Sequence, residues 1–242
     1  ETLTFDHLRE ERGRYSRIRL WGSVGFIVAV LGTGAVLDVL PLNGVLWVCW
    51  GILAGILLLA AVLPDVPAVP HPHGSLAVRD ILRQPRVRAL LAACFTMSAA
   101  HGALYVFYSI HLADHGYSKA EVGALWSLGV LAEIAVFMLM ARLTRRYSLR
   151  VLLLASFSVA VLRFLLIGWA VESPAIMVVA QLMHGLTFGA YHAASIAAIN
   201  LWFPGRAQGR GQALYSSISF GAGGLLGGLI SGWTWDGIGA GW

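Results

Sequence analysis

Residues 122–150 read VGALWSLGVLAEIAVFMLMARLTRRYSLR. Residues 122–141 carry one charged side chain, Glu133, whereas residues 142–150 carry four arginines. An α-helix needs about 20 apolar residues to cross the hydrocarbon core of a bilayer, and flanking arginines and lysines stay on the cytoplasmic side. This stretch therefore predicts a membrane-spanning helix whose arginine-rich end is cytoplasmic.

The same pattern repeats along the chain. The predicted spans are Leu20–Leu40, Val45–Leu63, Ala89–Leu112, Val122–Ala141, Val151–Val171, Ala175–Ala198 and Ala213–Trp233. Basic residues precede the first span and occupy every second gap: Arg9, Arg12, Arg14, Arg17, Arg19, Arg79, Arg83, Arg86, Arg88, Arg142, Arg145, Arg146, Arg150, Arg206 and Arg210. In the other gaps the only basic residue is Lys119. We therefore predict a multi-pass protein of the cell inner (plasma) membrane, with its N-terminal end and arginine-rich loops cytoplasmic.

Composition supports a membrane protein and argues against other classes. The chain is 58% hydrophobic and 12% charged, against about 25% charged residues in soluble domains. Its net charge of +5 is explained by membrane orientation, so no nucleic-acid partner is predicted. Cys49 and Cys94 both lie within spans and are interpreted as small packing residues rather than a disulfide or a metal site. The chain has no Walker-type loop, and we predict no cofactor.

The longest connection, residues 64–88, contains Pro64, Pro67, Pro70, Pro72 and Pro85. This composition is typical of an extended linker, and it separates two spans (1–63) from five (89–242). We expect a junction between two helical bundles, with a short surface helix at Ser75–Gln84 whose Leu76, Ile81 and Leu82 face the membrane. Because the chain starts without Met and has an odd number of spans, we also interpret it as a fragment.

Glycines dominate the seventh span. Gly223/Gly227, Gly224/Gly228 and Gly228/Gly232 each have the spacing that lets two helices approach closely. We expect tight helix packing there. A helix that flexes during transport is the alternative, and the spacing does not separate the two.

Glu133 and Arg163 are oppositely charged residues at mid-membrane depth, in the fourth and fifth spans. A charge at that depth is costly unless it has a partner or an aqueous cavity. We therefore expect the two side chains to pair across adjacent helices. Moving such a pair apart would let the carboxylate take up a proton; a purely structural ion pair is the alternative.

The sixth span carries a polar face. His184 and His192 are eight residues apart, slightly over two turns, and Gln181 lies one turn before His184. These side chains therefore share one face and favour a polar cavity. The spacing of the two histidines is too wide for one metal ion to share.

A second polar stripe follows the third span, where His101, Tyr105 and Tyr108 are spaced at i, i+4 and i+7. Tyr108 is close to the span end, and we expect it to belong to the aromatic belt at the membrane interface. Tyr105 is deeper and is the better candidate for a cavity.

Four stretches resemble the major facilitator superfamily: RIRLWGSVGF at 17–26, LWSLGVLAE at 125–133, QLMHGLTF at 181–188 and QALYS at 212–216. Within that superfamily the chain looks most like the phenylpropionate permease group, which is related to the proton-coupled lactose and nucleoside permeases. The resemblance covers essentially the whole chain. LTRRYSLR at 143–150 is only a degenerate form of the superfamily's basic loop motif.

The resemblance implies an all-α integral membrane protein with the major facilitator superfamily fold. That fold has twelve transmembrane helices in two bundles around a central cavity. The chain matches seven of the twelve, helices 5–11. Residues 1–63 would then end the N-terminal bundle, 64–88 would form the cytoplasmic inter-bundle linker, and 89–242 would form the C-terminal bundle without its last helix.

The resemblance also implies functional residues. Glu1 and Arg19 have the spacing of the substrate-binding acid and arginine in the lactose permease pattern. Arg163 matches the coupling arginine of that pattern, and His184 matches its coupling histidine.

Three departures from the pattern change what is expected. Thr187 stands where the pattern has a carboxylate, His101 stands at an acidic position, and Glu133 comes one turn later than the glutamate of the eighth helix. Proton coupling is therefore expected to use a different set of residues from the lactose permease pattern, with Glu133 and the histidines taking a larger part.

We hypothesise a secondary active transporter, a proton symporter of a small organic solute such as the aromatic acid 3-phenylpropionate. Glu133, Arg163 and His184 would couple proton and solute. The substrate-binding set would be Glu1, Arg19, His101, Tyr105, Trp126, Gln181, His192 and Tyr215. A sugar or nucleoside permease, an exporter by proton antiport and a non-transporting membrane sensor are the alternatives. We predict no enzyme and no metal, with substrate, protons and lipid as partners and a functional monomer.

A seven-helix receptor or retinal protein does not fit. A retinal protein needs a lysine inside a late helix, but the single lysine, Lys119, lies in a loop. A receptor would start outside the cell, whereas the arginine pattern places the N-terminal end inside.

Overall fold

A computed structural model describes residues 15–37, 44–62, 78–204 and 207–238. The chain divides into two compact units: Glu1–Pro70 with Ser118–Ser127, and His71–Tyr117 with Leu128–Trp242. Within these described ranges the regular secondary structure is entirely helical, in agreement with the predicted all-α fold.

The first unit contains α1 (Tyr15–Leu37) and α2 (Gly44–Val62), which pack against each other. Both coincide with predicted spans, and their described apolar parts are Trp21–Thr33 and Leu46–Val62. The side chains of α2 are largely exposed, as a helix rich in Leu, Ile and Val is when its solvent is lipid.

The remaining helices belong wholly or mostly to the second unit. In chain order they are α3 (Val78–Leu82), α4 (Pro85–Asp114), α5 (Lys119–Arg146), α6 (Leu149–Trp169), α7 (Pro174–Leu182), α8 (Tyr191–Trp202), α9 (Ala207–Ser216) and α10 (Gly224–Ile238). A first π-helical turn, Gly185–Ala190, joins α7 to α8, and a second, Ser217–Gly223, joins α9 to α10.

Local sequence explains where these helices begin and end. Pro85 and Pro174 occupy first-turn positions of α4 and α7, where a missing N–H costs nothing. Ser148 caps α6, because its hydroxyl oxygen accepts from the Val151 N–H at 3.3 Å. After α4 the chain turns at Gly116, whose φ of 86° is readily adopted by glycine alone.

Among the described residues, four helical segments are long and apolar enough to cross a membrane: Pro85–Asp114, Lys119–Arg146, Leu149–Trp169 and Ala207–Trp235. They contain the predicted third, fourth and seventh spans, and all but the last two residues of the fifth. The predicted sixth span lies within α7, the first π-helical turn and α8, with Met183 and His184 between α7 and the turn.

The predicted close packing of the seventh span is confirmed for one glycine pair. A Cβ placed on Gly223 would lie 2.6 Å from the carbonyl oxygen of Phe95, and a Cβ on Gly227 would overlap the carbonyl oxygen of Ala99. The backbone of α4 therefore touches the second π-helical turn at Gly223 and α10 at Gly227, at distances that only glycine allows.

The short helix expected in the linker is present as α3, within Ser75–Gln84. The predicted orientation of its Ile81 towards the membrane is wrong. Ile81 is fully buried and packs into the same apolar cluster as Val87, Cys94 and Phe203. The helix thus covers one end of the second unit.

Candidate functional site

Arg163 is held by the helix that follows it in the chain. Its side chain is completely buried on α6. Nε donates to the carbonyl oxygen of Ala180 at 2.8 Å, Nη1 donates to the hydroxyl of Thr187 at 3.2 Å, and Nη2 donates to Oε1 of Gln181 at 3.2 Å. These bonds offset the desolvation of the guanidinium. They also fasten α6 to α7 and to the first π-helical turn.

Glu133 packs against that same turn. Its Cγ and its carbonyl oxygen each lie 3.4 Å from the point where a Cβ on Gly189 would stand, and the Ala132 carbonyl oxygen lies 2.6 Å from the matching point on Gly185. Three hydrogen bonds of the Arg163 guanidinium go to α7 and the turn, so both charged residues contact the same turn. Their direct pairing stays a prediction.

His101 is buried on α4 with a defined tautomer. Its Nδ1 lies 2.9 Å from the carbonyl oxygen of Met97. A carbonyl oxygen only accepts, so Nδ1 carries the proton, and Nε2 of the neutral ring presents a lone pair. The ring lies edge-on to Phe164, with 5.4 Å between centroids, and 6.1 Å from the ring of His184. His101 therefore connects α4 with both α6 and α7.

Three rings stack along the predicted polar face of the sixth span. The His184 and Phe188 rings have centroids 5.4 Å apart and planes 15° apart; Phe188 and His192 follow at 5.9 Å and 8°. His192 Nδ1 then lies 3.0 Å from the hydroxyl oxygen of Tyr215 on α9. The prediction that the two histidines share a face is confirmed, and Phe188 lies between them.

A cavity of about 250 Å³ opens beside this stack. Its walls include His101 and Tyr105 from α4, Tyr191 from α8, and Phe188 and Phe220 from the two π-helical turns. The lining is mainly aromatic, and a few polar groups converge on it. This combination is typical of small-molecule binding sites.

The two tyrosines of the predicted stripe differ in environment. Tyr105 is 49% exposed, lines the 250 Å³ cavity and lies within electrostatic range of Arg163 and Glu133. Tyr108 is 2% exposed and borders a second cavity, of about 490 Å³, at the end of the unit that contains His111. The prediction that Tyr108 belongs to the interfacial aromatic belt is therefore wrong.

Three other predicted site residues lie in the first unit or outside the described residues. Trp126 is half-buried on the part of α5 that belongs to the first unit. Arg19 lies on α1, but its side chain is outside the described residues, and Glu1 lies outside them entirely. Their assignment to substrate binding stays a prediction.

Of the residues in the cavity wall, sequence reasoning named His101 and Tyr105 as site residues and missed Met97, Ser98, Phe188, Tyr191 and Phe220. Phe188 could have been found, because it lies midway between His184 and His192 at helical spacing. Tyr191 carried no comparable signal. It is buried, and its hydroxyl donates to the carbonyl oxygen of Cys94 at 3.3 Å, which joins α8 to α4.

The described residues contain no group of three or more His, Cys, Asp or Glu side chains that could hold a metal ion. The chemistry available at the cavity is hydrogen bonding and proton exchange at imidazole and hydroxyl groups. In an apolar bundle, such ionisable residues mark solute and proton pathways.

Comparison with known proteins identifies the fold family. The family model described as "MFS_1 like family" matches residues 1–242. The chain belongs to this family. The resemblance to the major facilitator superfamily is thereby confirmed, and with it the reading of the chain as part of an all-α, multi-pass membrane protein.

Curated relatives of this family member are named as transporters. The "Probable 3-phenylpropionic acid transporter" of Escherichia coli (strain K12) is 33% identical over 216 residues, which is 86% of this chain and 55% of that protein. The "Maltose permease" of Geobacillus stearothermophilus is 26% identical over 235 residues, 96% of this chain and 59% of the permease. The "Uncharacterized transporter YwbF" of Bacillus subtilis (strain 168) is 23% identical over 237 residues, 98% of this chain and 59% of that protein.

The aligned region covers between 55% and 59% of the length of these relatives. Their names agree with the prediction that this family member is not an enzyme. The name of the first of them also agrees with the resemblance to the phenylpropionate permease group.

Proposed function

We propose that this MFS_1-like protein is a secondary active transporter that takes up a small organic acid together with a proton. One observation carries the proposal: ionisable side chains are buried inside an apolar helix bundle, and one of them, His101, lines an aromatic cavity. Glu133, Arg163, His101 and His184 are all buried. Placing such groups at membrane depth is costly, so they are expected where a solute or a proton must pass.

In the proposed coupling, Glu133 is the group that gains and loses the proton. Arg163 is tied by its hydrogen bonds to α7 and the first π-helical turn, and Glu133 packs on that turn. A movement of the turn would change the distance between the carboxylate and the guanidinium, and hence the proton affinity of the carboxylate. His184, at the start of the turn, would link this proton site to the cavity.

The proposed substrate is an aromatic acid of the 3-phenylpropionate type. The aromatic walls fit a ring, and the printed name of one relative refers to this acid. The proposed binding set is Glu1, Arg19, His101, Tyr105, Trp126, Gln181, His192 and Tyr215. A maltose-like sugar is the second candidate, because another relative is named a maltose permease.

We further propose that the protein lies in the inner membrane with its arginine-rich loops cytoplasmic, and that it functions as a monomer. The basic residues at the ends of α5 and α6 support this orientation. Arg142, Arg145, Arg146 and Arg150 surround one connection, whereas no basic residue lies between Ala170 and Ser173, the next connection. Positive charge of this kind stays on the cytoplasmic side.

The test is proton movement in vesicles that carry the intact protein. Addition of 3-phenylpropionate down its gradient should make the external medium more alkaline, because protons enter with the solute. Glu133→Gln should abolish this signal, and Glu172→Gln should not, since Glu172 is an exposed carboxylate at a span end.

A normal signal from Glu133→Gln would refute the coupling role of Glu133. External alkalinisation on addition of maltose in place of the acid would indicate that the substrate is a sugar. Acidification on addition of the solute would indicate proton antiport, the exporter alternative. Absence of any movement with an inserted protein would favour a sensor.

A further inference from the structure

Two buried polar atoms without a protein partner border the 250 Å³ cavity. They are Oγ of Ser98 and Nε2 of His101, on residues that are 5% and 3% exposed. Both residues lie on α4, one turn apart. Buried polar groups nearly always have a hydrogen-bond partner. Two such atoms at one cavity therefore indicate where a ligand binds.

The two atoms offer complementary roles. His101 Nδ1 donates to the carbonyl oxygen of Met97, so Nε2 of the neutral ring is an acceptor. Hydroxyls elsewhere in the chain donate back to the preceding helical turn, as Ser127 does to Gly123 at 2.9 Å and Thr144 does to Met140 at 2.8 Å. Ser98 makes no such bond within the described structure, so its hydroxyl is available to donate.

The wall of this cavity, as far as the structure describes it, contains no lysine or arginine. Arg163 is fully buried behind it and donates to Ala180, Gln181 and Thr187. A carboxylate anion placed in this cavity would be desolvated without a cationic partner, which is unfavourable. A neutral group with one donor and one acceptor matches Ser98 and His101 without that cost.

We propose that the cavity binds its substrate as the neutral carboxylic acid. The O–H of the acid donates to Nε2 of His101, the C=O of the acid accepts from the hydroxyl of Ser98, and the ring lies among Phe188, Tyr191 and Phe220. The anion and one proton enter together, no bond other than O–H is made or broken, and no net charge enters. This inference deepens the proposed function and rests on it.

Other titratable groups surround His101. Tyr105 lies one turn after it on the same helix, with 6.0 Å between ring centroids. His184 faces it from the α7 side with 6.1 Å between ring centroids, and Arg163 acts on it from α6. Glu133 of α5 lies within electrostatic range of Tyr105. A proton on His101 itself would thus face the Arg163 charge, which favours keeping the proton on the acid oxygen.

The test is equilibrium binding of radiolabelled 3-phenylpropionic acid to the purified intact protein, with two neutral competitors. 3-Phenylpropionamide keeps one donor and one acceptor and should compete at every pH. Methyl 3-phenylpropionate lacks the donor and should compete about tenfold or more weakly, because Nε2 stays unsatisfied. The apparent Kd of the acid should rise about tenfold per pH unit between about pH 6 and about pH 8, since one proton is bound with each anion. The Kd of the amide should stay constant.

Substitutions at Ser98 and His101 test the hydrogen-bonding roles proposed for Ser98 Oγ and His101 Nε2. Ser98→Ala should weaken the binding of acid and amide about two- to tenfold, whereas Ser156→Ala should have no effect, because Ser156 also has a buried unpartnered Oγ but lies outside this cavity wall. His101→Asn should weaken the binding of both ligands, since its amide reaches the Nδ1 position only. His101→Gln should retain both, because its Oε1 occupies the Nε2 position as an acceptor.

The outcomes distinguish failure of the proposed substrate from failure of the inference that the acid binds in its neutral form. No binding of the acid at any pH would overturn the proposed substrate and this inference with it. Acid binding that is independent of pH, or that the amide does not displace, would overturn this inference alone. Loss of acid binding with retained amide binding in His101→Gln would show a carboxylate paired with a protonated imidazole, which also contradicts binding of the neutral acid.

Discussion

A single methyl group at Gly227 is expected to disrupt the packing of the second unit. A Cβ at this position would overlap the carbonyl oxygen of Ala99 and would lie 2.6 Å from the carbonyl carbon and from Cα of the same residue. All three are backbone atoms of α4, so no side-chain rotation can relieve the overlap. Gly227→Ala therefore requires α4 and α10 to move apart.

Overpacking of this kind costs about 1–3 kcal/mol, and a contact with backbone belongs at the upper end of that range. For a unit of this size, each kcal/mol lowers the unfolding midpoint by about 2–4 °C. We expect Gly227→Ala to lower the midpoint of the intact protein in detergent by several degrees, measured by scanning fluorimetry at constant protein and detergent concentration.

Gly224 is the matched control. It lies on the same helix, but a Cβ there would have no atom within 4 Å, because the position faces the 250 Å³ cavity. Gly224→Ala should leave the midpoint unchanged or raise it slightly, since alanine is the better helix former. Equal midpoints for the two variants would refute the close approach of α4 and α10.

Three further substitutions test the site. Thr187→Val leaves an N–H of Arg163 without its acceptor and should destabilise the protein by about 1–3 kcal/mol, whereas Thr187→Ser should be close to wild type in chemical unfolding. Tyr215→Phe removes the bond to His192 and should cost about 0.5–1.5 kcal/mol in the same assay; an unchanged midpoint would argue against that bond. Gly185→Ala meets the α5 backbone and should lower the thermal midpoint by several degrees, so wild-type stability would contradict the close approach of α5 to the turn.

The helices were predictable from the sequence because their cause is local. Length, hydropathy and flanking arginines determine whether a segment crosses a membrane, and each of these is a property of the segment itself. The glycine pair Gly223/Gly227 was also predictable, since only the spacing of small residues matters for close packing. Ile81 was misplaced because a five-residue helix can turn either face to the bundle, and its neighbours across the bundle decide which.

The partners of Arg163 were harder to predict for a related reason. A charge rule finds the nearest opposite charge, and that pointed to Glu133. In the structure the guanidinium donates to a carbonyl oxygen, an amide oxygen and a hydroxyl on one neighbouring segment, and none of these neutral partners was predicted. Neutral acceptors are abundant in every helix, so their sequence positions carry no signal.

The stacked rings of the sixth span include a structural feature that a regular helical period does not predict. At 3.6 residues per turn, residues four apart are offset by about 40° and residues eight apart by about 80°. His184, Phe188 and His192 would therefore drift around a regular α-helix, yet their rings stack, with planes 15° apart for the first pair and 8° apart for the second. The π-helical turn at Gly185–Ala190 lies within this stack. π-Helical turns often occur at functional sites, and this one also contacts Arg163 and Glu133. A period-based reading of the sequence finds the face but not the turn, because it assumes 3.6 residues per turn throughout.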